Sequence, residues 1–139
     1  MAKETVSFKL KNDLSELDRL NEYFEGFKSS VGIEERCTHH CKLGMEELFT
    51  NICSYGFPDK KEHWIHFTLW KEKEGVVIRV EDDGIPFNPI EMPEPNLGGG
   101  VEDREVGGLG IHLIKHFYNE IEYQRVDNKN VIILKIILE

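Results

Sequence analysis

Apolar and polar residues alternate at the start of the chain. In ETVSFKL, residues 4–10, Val6, Phe8 and Leu10 share one parity, which predicts a half-buried strand. The spacing then changes. Leu14, Leu17, Leu20, Phe24, Phe27 and Val31 recur every three or four positions, as one apolar stripe on a helix over 13–31 that Gly32 ends. A second helix is predicted from about Ile33 to Tyr55, with Cys41, Met45, Leu48 and Ile52 as its stripe. GFPDKKE (56–62) reads as a loop, and the strand patterns HWIHFTLWK (63–71) and VVIRVED (76–82) follow, joined by a turn at EKEG.

Residues 83–108 then break every pattern. They hold four of the five prolines, and a loop this long inside a compact domain is usually a lid or binding loop. A helix from about Leu109 to Tyr118 leads to strands near 120–126 and 130–138. The order β-α-α-β-β-lid-α-β-β predicts an α/β (α+β) two-layer sandwich, with helices on one face of a mixed, mostly antiparallel sheet.

Composition narrows the function classes. The 139 residues fit one domain, 1–139, with a sizeable core. A formal net charge of −9 argues against non-specific binding to nucleic acid or to an anionic membrane. It leaves nucleotides open, because backbone amides, helix N-termini and Mg²⁺ can handle phosphate. Three cysteines, Cys37, Cys41 and Cys53, make a poor disulfide framework, and no secretory or membrane-spanning stretch is visible. The expected location is the cytoplasm.

Three short stretches carry candidate chemistry. In GMEELFTNICSYGF (44–57), Glu47 and Asn51 are four apart and share a helix face with Gly44. Glu47 could act as a general base and the Asn51 oxygen could ligate a hard cation. Gly44 either leaves a gap for a ligand or packs under a neighbour. In VVIRVEDDG (76–84), Asp82 continues the inward parity of Val76, Ile78 and Val80, with Gly84 two residues on. An inward Asp could accept a hydrogen bond from an exocyclic amine, although Asp-Asp-Gly is also an ordinary turn. In EVGGLGIHLIK (105–115), Gly107, Gly108 and Gly110 precede an apolar, helix-like run, where bare backbone N–H groups could meet phosphate. Glu46 points about 100° away from Glu47 around the helix, so the four-residue spacing to Asn51 favours Glu47.

The order of these stretches is more specific than any one. MEELFTNICSYGF, VEDDGIPFNP and EDREVGGLGIHLIK resemble the boxes of the ATPase domain shared by gyrase, heat-shock chaperones, histidine kinases and mismatch-repair ATPases, the Bergerat or GHKL fold. Within it, the chain is similar to the anti-sigma-factor serine/threonine kinases. That resemblance implies ATP and Mg²⁺, with Glu47 activating the nucleophile and Asn51 holding the metal. It implies Asp82 at the adenine amine, Gly84 beneath the base, Gly108 and Gly110 at the phosphates, and Gly107 as the hinge of a lid at about 89–107. Arg104 is a candidate for the terminal phosphate by position and charge alone. The implied protein phosphorylates a small antagonist protein, controls a sigma-factor-like transcription partner, and pairs as a homodimer, with no direct contact to nucleic acid or membrane. A nucleotide-dependent protein-binding module without kinase activity is the alternative. One departure is visible: the family commonly has Thr or Ser near the last strand to help hold the base, whereas NVIILKIIL (130–138) offers Asn130 and no hydroxyl.

Two further patterns have plainer readings. Cys37, His40 and Cys41 have helical i, i+3, i+4 spacing that could hold a metal, but zinc wants a fourth ligand, and core cysteines beside surface histidines are expected. Trp64, His66 and Trp70 share one strand parity, which is expected to pack under the helices rather than form a partner surface.

Overall fold

The computed structural model describes residues 5–73, 75–88, 91, 115 and 118–137. Strand β1 spans Thr5–Lys11 and helices α1 and α2 span Leu17–Val31 and Glu35–Tyr55. Strands β2 (Trp64–Lys71) and β3 (Gly75–Asp82) follow, then β4 (Glu120–Val126) and β5 (Lys129–Ile137). The predicted first helix is entered through a short 3₁₀ turn at Leu14–Glu16, where Asp13 Oδ1 accepts from the Ser15 N–H at 2.9 Å. Gly32 closes α1 in the left-handed region, φ 66°, with its N–H on the Lys28 carbonyl at 3.0 Å, the ending that a glycine there predicts.

The strands form one sheet in the order β1-β2-β3-β5-β4. Every pairing is antiparallel among the described residues, so no parallel pair of a mixed sheet is found there. Register sets the inward side chains in rows. One row runs Phe8, Phe67, Val80, Ile132 and Tyr123; the next toward the β3 C-terminus runs Leu10, Ile65, Asp82, Asn130 and Arg125. Apolar side chains of both helices join these rows in one core, with Leu20, Phe24 and Phe27 from α1 and Met45, Leu48 and Phe49 from α2. The Phe49 and Phe67 rings, 6.2 Å apart, carry the contact from helix to sheet.

The packed face of β2 reverses one expectation. Ile65, Phe67 and Leu69 are fully buried, whereas Trp64 and Trp70 are half-buried and His66 is exposed on the opposite face. Both parities of HWIHFTLWK are rich in large side chains, and the core takes the one without polar atoms. Indole and imidazole nitrogens need partners that an apolar interior lacks. On the outer face, Trp70 Nε1 donates to Glu72 Oε1 at 3.1 Å, and the Lys9 ammonium lies 4.6 Å from the Trp64 ring.

Candidate functional site

Helix α2 positions the first two candidate residues. Asn51 lies one turn after Glu47, is 1% exposed, and donates from Nδ2 to the Glu47 backbone carbonyl at 2.7 Å. Its Oδ1 and the Glu47 Oε2 atom are both buried and lack a hydrogen-bond partner among the described residues. A buried acceptor left unpaired costs about 1–3 kcal/mol, so acceptors of this kind ordinarily find a partner. The Asn51 oxygen suits a hard cation such as Mg²⁺. Burial, with Glu46 adding repulsion, pushes the Glu47 carboxyl above its ordinary range, toward the basicity useful in a general base.

Gly44 resolves between its two readings. A methyl group there would strike the phenol ring of Tyr118, which covers this part of the helix. The Tyr118 hydroxyl donates to the His40 carbonyl at 2.9 Å. The gap is therefore a packing gap filled by the protein itself.

Strand β3 ends by aiming Asp82 inward at 3% exposure. Among the described residues, both hydrogen bonds to its side chain end on Oδ1: the Gly84 N–H at 2.9 Å and Asn130 Nδ2 at 3.0 Å. Burial pushes the Asp82 carboxyl up; the Asn130 and Gly84 donors oppose it, Asp83 reinforces it and Arg125 counters. Gly84 is pressed against α2, since a methyl group on it would strike the Gly56 carbonyl oxygen. The same oxygen accepts from the Ile85 N–H at 3.0 Å. This joint brings the two stretches together: Asn51 precedes Gly56 by five residues, about 7.5 Å along a helix axis.

Two residues around Asp82 carry no sequence motif. Tyr123 donates through its hydroxyl to Asn130 Oδ1 at 2.6 Å, and Arg125 donates to the Gly84 carbonyl at 2.8 Å and to Asn130 Oδ1 at 3.2 Å. Their available signal was parity: Ile121, Tyr123 and Arg125 alternate onto the inner face. His63 was also unforeseen. It stacks on Phe57 at 4.4 Å and bridges Asp59 and Asp83, through Nε2 at 2.8 Å and Nδ1 at 3.0 Å.

The remaining sequence-predicted site residues, Arg104, Gly107, Gly108 and Gly110, lie outside the described residues, as does the lid span apart from Glu91. The Cys37–His40–Cys41 metal reading fails among the described residues. Cys37 and Cys41 are buried in the core with sulfurs 3.8 Å apart, and no three metal-ligating side chains come together. No described helix is long and apolar enough to cross a membrane.

Comparison with known proteins agrees with the geometry. Serine/threonine-protein kinase BtrW of Bordetella bronchiseptica is 32% identical over 88 residues, covering 63% of this chain and 62% of that protein. This chain thus matches slightly less than two thirds of the length of BtrW. Serine-protein kinase RsbW of Listeria monocytogenes is 24% identical over 99% of this chain and 88% of its own length, and RsbW of Listeria innocua is equally similar. The model of the histidine kinase-like ATPase domain matches residues 10–136, which takes in both helices and the sheet apart from most of β1. That match spans most of the chain and shows the family: this chain belongs to the family of histidine kinase-like ATPase domains.

Proposed function

We propose that this protein is an ATP-dependent serine/threonine kinase of the anti-sigma-factor type. It would phosphorylate a small antagonist protein and so control a sigma-factor-like partner. The observation that carries the reading is the pair of buried oxygens on Glu47 and Asn51 that lack a partner among the described residues, on the helix whose end meets the turn after the inward Asp82. The similarity to proteins named serine kinases supports the reaction class.

In this reading ATP is the substrate and residues 1–139 act as one domain. Asp82 accepts a hydrogen bond from the adenine amine and Gly84 lies beneath the base. Gly108 and Gly110 meet the phosphates, Gly107 hinges the lid, and Arg104 approaches the terminal phosphate. The hydroxyl oxygen of the protein substrate bonds to the γ-phosphorus as the bond to the β–γ bridging oxygen breaks and ADP departs. Glu47 takes the hydroxyl proton. Asn51 Oδ1 would hold Mg²⁺, which when bound neutralises charge on the phosphates. A cytoplasmic homodimer fits this role.

Calorimetric titration of ATP and ADP, with and without Mg²⁺, tests the site. Wild type should bind in a Mg²⁺-dependent manner and Asp82→Asn should bind at least about tenfold more weakly, the loss of one charge-assisted hydrogen bond. Glu47→Ala should keep ATP binding and lose phosphotransfer by about 10²–10⁴-fold. Binding without transfer to any candidate antagonist would favour the nucleotide-dependent binding module. No binding to wild type at millimolar nucleotide would overturn both.

A further inference from the structure

We propose that Asn130 is the positioning residue that sets base specificity at the nucleotide site, by holding Asp82 as a fixed hydrogen-bond acceptor. The inference rests on the nucleotide reading above and adds a residue, a mechanism and a ligand preference to it.

Asn130 opens the inner row of β5, directly across from Asp82, and is 1% exposed. Its carboxamide is fully used. Nδ2 donates to Asp82 Oδ1 at 3.0 Å and to the Ile85 carbonyl at 2.8 Å. Oδ1 accepts from the Tyr123 hydroxyl at 2.6 Å, from Arg125 at 3.2 Å and from the Phe87 N–H at 3.2 Å. The amide orientation is forced: the nitrogen faces a carboxylate and a carbonyl, which only accept, and the oxygen faces a guanidinium and a backbone N–H, which only donate.

No smaller polar side chain reproduces this. A hydroxyl has one proton and would serve either Asp82 or Ile85, not both. A carboxylate would set a second negative charge against Asp82. Asn130 therefore ties three things into one unit: the acceptor Asp82, the chain at Ile85 and Phe87, and the edge strand β4 through Tyr123 and Arg125.

The chemical consequence is a preference. With both donors on Oδ1, Asp82 presents an acceptor to the base. It accepts from a purine bearing an exocyclic 6-amino group and opposes one bearing a 6-oxo group, which is itself an acceptor. Having no spare donor, Asn130 acts through Asp82 rather than on the base. Without it, the carboxyl can turn, or take a proton and donate, and the two bases become more alike.

The test is titration of ATP and of inosine triphosphate, whose 6-amino group is replaced by oxo, into wild type, Asn130→Ala and Asn130→Ser. Wild type should favour ATP. Asn130→Ala should lower the ATP-to-inosine-triphosphate affinity ratio by about tenfold or more, the weight of one hydrogen bond to a charged group. Asn130→Ser, whose shorter side chain carries a single proton, should not restore the wild-type ratio; a wild-type ratio in that variant overturns the inference. If both affinities fall together and the ratio stays, Asn130 is merely structural and the inference is overturned. Equal binding of both nucleotides to wild type overturns it while leaving the nucleotide reading intact; binding of neither fells that reading first. If Asn130→Ala does not fold, Tyr123→Phe decides. Removing that one O–H should lower the ratio by about two- to fivefold, and an unchanged ratio overturns the proposal.

Discussion

Gly84 lies against the carbonyl of Gly56, so near that an added methyl group would strike that oxygen and come within 2.9 Å of Asp82 Oδ1. The contact fastens the turn after β3 to the end of α2, and the Ile85 N–H on the same carbonyl completes the joint. Both neighbours of the missing side chain are hard to move: one is backbone, the other a carboxylate held by two donors. Gly84→Ala should therefore cost about 1–3 kcal/mol in chemical denaturation, as overpacking does. A variant as stable as wild type would mean that the two turns do not meet this closely.

Gly44 and Tyr118 make a second such pair. Gly44→Ala should destabilise by about 1–3 kcal/mol through its clash with the phenol ring, despite the better helix propensity of alanine. Tyr118→Leu should lose the hydroxyl bond to His40 but relieve the clash. The two changes should then be non-additive, the double variant being more stable than the summed single effects by at least about 0.5 kcal/mol. Strict additivity would place Tyr118 away from Gly44.

The two faces of β2 can be told apart by truncation. Phe67→Ala should cost about 3–5 kcal/mol, because the ring is wholly buried between sheet and helix. Trp64→Ala should cost about 1 kcal/mol, from a half-buried ring under a lysine. Comparable losses, read from denaturation midpoints, would contradict the outward tryptophan face.

The pH dependence of Glu47 has a definite sign. Its folded pKa is raised, with burial the chief cause, so the native state holds the proton more tightly than the unfolded chain. Its contribution to stability is greatest at low pH. It is lost as pH rises from the ordinary value of 4.5 through the raised folded pKa, because the buried group must then ionise. Glu47→Gln should accordingly unfold at higher temperature than wild type near pH 7 to 8, with the gain shrinking on acidification toward the ordinary value. A gain that grew instead on acidification would contradict a raised pKa. The same variant should lose phosphotransfer, so stability and activity would move in opposite directions.

The order of the described strands and helices, the helix face carrying Glu47 and Asn51, and the inward parity of Asp82 were legible because each depends on spacing along one segment; the expected helix at about 109–118 lies almost wholly outside the described residues. A period of 3.6 or 2 is written into the chain and survives folding. The family itself was legible for the same reason: the order of the three boxes along the chain resembles that of a known family, and the domain match agrees with it. Parity alone could not say which side of β2 meets the helices, since both sides carry large side chains. That was decided by the cost of burying indole and imidazole nitrogens, and by the company that Ile65, Phe67 and Leu69 find in the core. Nor could it say what fills the gap at Gly44, because Tyr118 is 74 positions away along the chain. Asn130 could be read only as a missing hydroxyl. Its role depends on strand register, which sets it opposite Asp82 and Arg125 at once, and register is a relation between segments. Sequence by itself determined the elements and the chemical groups they carry. The tertiary structure decided which groups face one another, because hydrogen bonds and steric exclusion act across space between residues far apart in the chain.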